Sequence, residues 1–152
     1  MKIIGIDRIV VGTWDVDATT ERFSELLGLK FGERISSEGI ADFEDMESRI
    51  SVGPERLDIV GPASEDCEDP FVEHLERSGP GIVGLALRVK DLEEALEELA
   101  DHDITPETTA QNGEFFEYYF HPGDFNGIYL GLSEFPHPVE THLKLENSPG
   151  EE

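Results

Sequence analysis

Residues 6–15, IDRIVVGTWD, return as residues 82–91, IVGLALRVKD, with positions 8 and 84, and again 15 and 91, each 76 residues apart. A repeat on that scale in a chain of 152 residues means two copies of one supersecondary unit. Each copy is an apolar, β-rich run leading straight into an acidic helix start. In a two-copy fold, the residues that the copies bring together are the first to inspect for function.

The elements follow from period and punctuation. Residues 3–12 form an apolar run too short for a solitary helix, and they read as a strand buried on both faces. Asp15 or Asp17 caps a helix to about Leu27 with Phe23, Leu26 and Leu27 as its apolar positions, and Gly28 ends it. Three strands are expected next, in LKFGERISS, around GIADFEDMESRISV and in ERLDIVG, so the first module runs β-α-β-β-β to about residue 62. Residues 63–79 hold an acidic loop and a short helix, DPFVEHLERSG, capped by Asp69 with Pro70 in its first turn. The second module, about 80–134, repeats the order. Asp91 and Glu94 make an acidic capping box, and Leu92, Leu96 and Leu99 give the stripe of a helix ending near His102. Three candidate strands follow in DITPETT, EFFEYYF and GIYLGLSEF. Residues 135–152, with three prolines and an acidic ending, are expected to be a loose tail.

Charge narrows the partners. The chain carries 35 Asp and Glu against 11 Lys and Arg, a net charge of −24, which repels phosphate backbones and anionic lipid. Nucleic-acid and membrane partners are therefore not expected. The acids are spread over loops and helix faces, which fits the solvated shell of a protein adapted to high salt better than a groove for a basic partner. No run nears the ~18 apolar residues of a membrane helix, and MKIIGIDRIV lacks the features of a signal peptide. A cytoplasmic protein is the expectation. Cys67, in the acidic loop SEDCEDP, reads as unreactive.

The segments IDRIVVGTWD, ERLDIVGP, GPGIVGLALRVKD, ITPE and FHPGDFNGIYLGL, within about residues 3–134, resemble the vicinal oxygen chelate superfamily of glyoxalases, bleomycin-resistance proteins and extradiol dioxygenases. The GPGI start and HPGD turn are closest in style to methylmalonyl-CoA epimerase and hydroxyphenylpyruvate dioxygenase modules. The resemblance implies an α+β fold in which two tandem βαβββ modules form a curved, cup-shaped mixed sheet with helices outside. It also implies a divalent metal in the cup, held by one residue from the first and one from the last strand of each module. In the first strands that ligand is typically a histidine, and in the last strands a Glu or Gln.

Here the corresponding positions are Arg8, Asp58, Gly84 and Gly131. Arginine is cationic at any relevant pH and offers a metal no lone pair. Glycine offers no side chain, and Asp58 alone holds no catalytic ion. The family's metal chemistry is thus expected to be absent, with no metal and no cofactor bound. A register slip of one residue does not restore it, since Asp7, Val83, Leu130 and Leu132 are no better a set. Since the first and last strands of a module are neighbours in this fold, Arg8 and Asp58 should face each other. They form either an ion pair filling the space of a lost metal, the weightier reading, or a clamp in which Arg8 binds a ligand carboxylate or phosphate. Gly84 and Gly131 should open room in the cup, and Tyr129, two residues before Gly131, should supply an aromatic wall.

The other candidates are weaker. His121 lies at a turn of structural type, His74 on a short surface helix, His102 at a helix end, and His137 and His142 in the tail. The aromatic run Phe115, Phe116, Tyr118, Tyr119 and Phe120 reads as strand core. The chain is accordingly expected to be a metal-free family member binding a small polar or anionic organic molecule through Arg8, Asp58, Gly84, Tyr129 and Gly131. The alternative is a metal-dependent isomerase, lyase or dioxygenase with displaced ligands, Asp58 with His121, Glu117 or Glu134. A ligand-free scaffold is a third option, and the family leaves a homodimer open.

Overall fold

The computed structural model describes residues 1–36, 45–112 and 114–136. Strand β1 (Ile3–Gly12) leads into helix α1 (Val16–Leu27), followed by strands β2 (Ile35–Ser36), β3 (Met46–Ile50) and β4 (Leu57–Pro62). Helix α2 (Pro70–Ser78) connects to β5 (Gly81–Val89), α3 (Leu92–Ala100), β6 (Thr108–Asn112), β7 (Phe115–Phe120) and β8 (Tyr129–Glu134). The expected tail from residue 137 onward, with His137 and His142, lies outside the described residues.

Local chemistry sets the helix ends. Asp15 accepts a hydrogen bond from Ala18 N, Asp69 from Phe71 N and Asp91 from Glu94 N, each satisfying an orphan donor of a first turn. Gly28 closes α1 in the left-handed region, at φ 72°.

The strands form one curled mixed sheet in the order β2-β3-β4-β1-β5-β8-β7-β6. β1 lies parallel to β4 as β5 lies parallel to β8, so the two copies are built alike. They meet where β1 and β5 pair antiparallel, with Arg8 opposite Ala86 and Val10 opposite Gly84. Helix α1 packs Val16 and Phe23 on Val11 and Ile59, on one face of the first half. Helix α3 packs Leu92, Ala95, Leu96 and Leu99 on Leu130 and Leu132, on the same face of the second half. Strand alternation sends Val10 and Tyr129 to the other face, where α2 covers them with Phe71 and Leu75.

Two expectations about burial are corrected. β1 is not buried along its whole length: Ile3, Ile4 and Ile6 are exposed, and the strand enters the interior only from Asp7. These three side chains stay exposed among the described residues, so an apolar run alone overstated the burial. In α1, Leu26 and Leu27 face solvent, and the buried side is set by Val16, Thr20 and Phe23 at i, i+4 and i+7. No helix among the described residues is long and apolar enough to cross a membrane.

Candidate functional site

A β-bulge starts the site. The pairing of β1 with β5 shifts register between Ile6 and Arg8, and the consecutive residues Asp7 and Arg8 are both buried, at 0% and 2% exposure. In a regular strand they would point to opposite faces; here the chain's extra residue lets both turn inward. Arg8 Nη1 donates to Asp7 Oδ2 at 3.1 Å, and the other Asp7 oxygen accepts from Arg88 Nη2 at 2.9 Å. Ser133 on β8 donates to Asp7 at 3.2 Å, a further contact from the second module.

The rest of the Arg8 guanidinium is held by two further strands. Its Nη2 donates to both Glu117 oxygens, at 2.6 and 2.7 Å, and lies 3.2 Å from the Tyr119 hydroxyl. Its Nε lies 3.3 Å from Asp58 Oδ2. The Phe115 ring lies 5.5 Å from the Arg8 guanidinium carbon, and the Phe135 ring 5.4 Å from that of Arg88. Among the described residues, two cations and three carboxylates are thereby brought together.

Burial governs the proton equilibria. It works against the charge of Arg8, yet Glu117, Tyr119, Asp7 and Asp58 outweigh it and hold the guanidinium protonated beyond its ordinary range. Burial also pushes the Glu117 carboxyl up, and the single guanidinium it shares with two other acids does not restore it. Burial and the Glu117 charge push the Tyr119 hydroxyl well up, so it is a neutral donor. A carboxyl raised in the folded state contributes stability below its unfolded pKa and loses it as pH rises through the folded one. Carboxyl-carbon NMR titration is therefore expected to place the Glu117 midpoint above 4.5, with this group favouring the fold on the acid side.

Beside the cluster is a hollow of about 80 Å³, lined by strands β1 to β4 of the first module and by β6 and β7 of the second. Arg8, Asp58, Glu117 and Tyr119 form its polar wall, with Phe115 and Met46 among its apolar lining. The space exceeds what one water needs by severalfold.

The expected site residues separate. Arg8 and Asp58 both line the hollow. Gly84, Gly131 and Tyr129 do not, although they share the strand face. A Cβ on Gly84 would stand 2.0 Å from the Tyr129 carbonyl oxygen, and one on Gly131 2.9 Å from the Tyr119 ring. The glycines therefore admit close packing instead of opening a cavity, which corrects the expectation of added room. Tyr129 lies under α2, edge-on to Phe71 at 5.4 Å and stacked with His74 at 5.9 Å, and the aromatic walls of the hollow are Phe115 and Tyr119. His74, expected on the surface, is 6% exposed, and burial pushes its pKa down. His121 caps its own turn through Nδ1, accepting from Gly123 N at 2.8 Å, and Glu134 accepts from Leu92 N at 2.7 Å. Neither reaches Asp58.

Glu117 entered the sequence reading only as a displaced ligand, and Tyr119 as strand core. A signal existed: in EFFEYYF, the charge at 117 shares strand parity with Phe115 and Tyr119, whose aromatic side chains mark the inner face. Asp7 and Arg88 had no such signal, because the bulge breaks the period.

These residues do not fit a divalent ion. Asp58 and Glu117 do converge, but on a guanidinium that repels a metal and cannot ligate it. Among the described residues no three His, Cys, Asp or Glu side chains are placed to hold one.

Comparison with known proteins gives a family and a fold. The family model described as Glyoxalase/Bleomycin resistance protein/Dioxygenase superfamily matches residues 7–120. Among solved structures, methylmalonyl-CoA epimerase from Mycobacterium tuberculosis aligns with a TM-score of 0.70 at 22% identity, covering 90% of each chain. A methylmalonyl-CoA epimerase in complex with methylmalonyl-CoA and NH4+ aligns with a TM-score of 0.70 at 18% identity, over 89% of this chain and 96% of the other. A single-site variant of the Streptomyces coelicolor epimerase, in complex with 2-nitronate-propionyl-CoA, aligns with a TM-score of 0.70 at 17% identity over 90% of this chain and 100% of its own. At these identities the likeness is one of fold. No curated protein matches the sequence.

Proposed function

The chain belongs to the glyoxalase/bleomycin resistance protein/dioxygenase superfamily, and from that premise we propose that it is a metal-independent member binding a small polar organic molecule in the hollow beside Arg8. The observation that carries the reading is the guanidinium on the first strand, where relatives of this type place a metal-ligating histidine, held by three carboxylates from β1, β4 and β7. The cluster supplies fixed hydrogen-bonding groups without an ion, and the hollow supplies room next to them. An anion is disfavoured as the ligand. Arg8 is already turned toward Asp7, Asp58 and Glu117, and an incoming carboxylate would meet three like charges before it displaced one.

The rival, a metal-dependent isomerase, lyase or dioxygenase, needs Asp58 and Glu117 to release Arg8 and ligate a metal ion. Titration of the metal-stripped protein with Zn2+, Mn2+ and Ni2+, followed by calorimetry and elemental analysis, separates the two. No tight equivalent is expected. One equivalent bound at micromolar affinity or better and lost in Asp58→Ala would establish the rival.

A further inference from the structure

We propose that His74 makes helix α2 an acid-sensitive lid: a proton taken up at its buried imidazole loosens the helix from the inner face of the sheet while the strands beneath stay paired. The proposal goes beyond the binding reading and does not depend on which molecule the hollow takes. Three features carry it.

The first is where α2 sits and how it is held. The helix packs Phe71, Val72 and Leu75 on Val10, Val83 and Tyr129, over the seam at which β1 and β5 meet. Among the described residues no backbone hydrogen bond ties it to a strand, so a local opening breaks side-chain packing and leaves the ladders intact. At its C-terminal end the chain passes through Gly79 and Gly81, both at positive φ, 80° and 132°, where glycine turns freely.

The second is the imidazole itself. His74 is buried on the sheet side of α2, stacked on Tyr129 with ring centroids 5.9 Å apart and hydrogen-bonded through its ring to the Val83 backbone. Its Nε2 is buried and has no hydrogen-bond partner among the described residues. An imidazolium would place its second proton there, as a buried donor with nothing to receive it. The neutral ring leaves only an unused lone pair, and the charged ring an uncompensated cation.

The third is the charge around the ring. Burial opposes a positive His74 most strongly, and Arg77 on α2 and His121 on the turn after β7 add to it. The acids on this side, Asp69 at the helix start and Glu107 before β6, act on the Tyr129 hydroxyl. A histidine whose folded-state pKa lies below its unfolded value gives stability that is complete above about 6.5 and is lost as pH falls through the folded value. Glu117 has the opposite sign and favours the fold on the acid side. Acid should therefore loosen α2 and spare the core beside Arg8.

Native-state hydrogen exchange of the full chain at about pH 7 and about pH 5 tests the lid, each amide rate being divided by that of an unstructured chain at the same pH. The open population of α2 is expected to rise about fivefold on acidification, and that of β5 to stay within about twofold. His74→Phe and His74→Leu keep an apolar body at the site and remove the titration, so in either the α2 rise should vanish, whereas His121→Gln should retain it. The proposal is overturned if α2 does not loosen, if it loosens only together with β5, if the rise persists in a folded His74 variant, or if it disappears in His121→Gln. Where neither His74 variant folds, the parent decides by NMR: the α2 amide shifts must follow the midpoint of the His74 ring signals, and a different midpoint overturns the lid.

Discussion

Arg8→Ala is expected to destabilise the protein by about 3–5 kcal/mol at neutral pH, the range for removing one partner of a buried ionic network. The guanidinium is 2% exposed and is the only group in contact with all of Asp7, Asp58 and Glu117 among the described contacts. Without it, Asp7 keeps Arg88 and Ser133, whereas Asp58 and Glu117 both lose the buried cation they contact. The pH dependence identifies the cause. Loss of the guanidinium pushes the folded-state pKa of Glu117, already above its ordinary value, up further. A carboxyl so raised contributes stability below its unfolded value and loses it as pH rises. The deficit of Arg8→Ala relative to the parent should therefore shrink toward about pH 4 and be widest near neutrality. Arg8→Lys should recover only part of it, because one ammonium cannot reach acids on three strands in the forked geometry of a guanidinium. Urea denaturation across that pH range is the measurement, and a deficit below about 1 kcal/mol at pH 7 would mean that the cluster is no buried network at all.

Gly84→Ala is the second large effect, expected at about 3 kcal/mol or more, the upper range for overpacking. Gly84 pairs with Tyr129 across the parallel β5–β8 ladder, and the added Cβ would lie 2.0 Å from the Tyr129 carbonyl oxygen and 2.8 Å from its carbon. Backbone in the middle of a sheet cannot step aside, so the two strands must part. Gly131→Ala provides the contrast. Its nearest neighbours are ring atoms of Tyr119 at 2.9 and 3.2 Å, which can rotate away, so the cost should be about 1–2 kcal/mol. That rotation also withdraws the Tyr119 hydroxyl from Arg8. Thermal unfolding of both variants checks the order, and equal losses would show that the strands, not the ring, absorb the contact at Gly131.

How far residues announced these features depends on period. The 76-residue repeat located β1 and β5, and with them the seam between the two copies, because each copy is an unbroken apolar run before a capped helix. The family resemblance put Arg8 beside Asp58, and the two side chains are in contact at 3.3 Å. The bulge hid Asp7: it places neighbours in sequence on one side of a strand, where alternation assigns them to opposite sides. Arg88 joins the same acid from 81 residues away, a separation no local pattern reports. The glycines were misjudged for a related reason. A missing side chain tells of close approach or of empty space equally well, and only the neighbour distinguishes them.

The ties around Arg8 also bear on how the molecule assembles. Arg8 and Glu117 are 109 residues apart along the chain, and Asp7 and Ser133 are 126 apart. Such partners meet only after the intervening loop entropy has been overcome, and the central β1–β5 pairing imposes the same delay. Interactions that close after the rate-limiting barrier do not set the speed of folding and must be broken on the way out. On that footing the charge cluster is less a guide to folding than a latch on the native state.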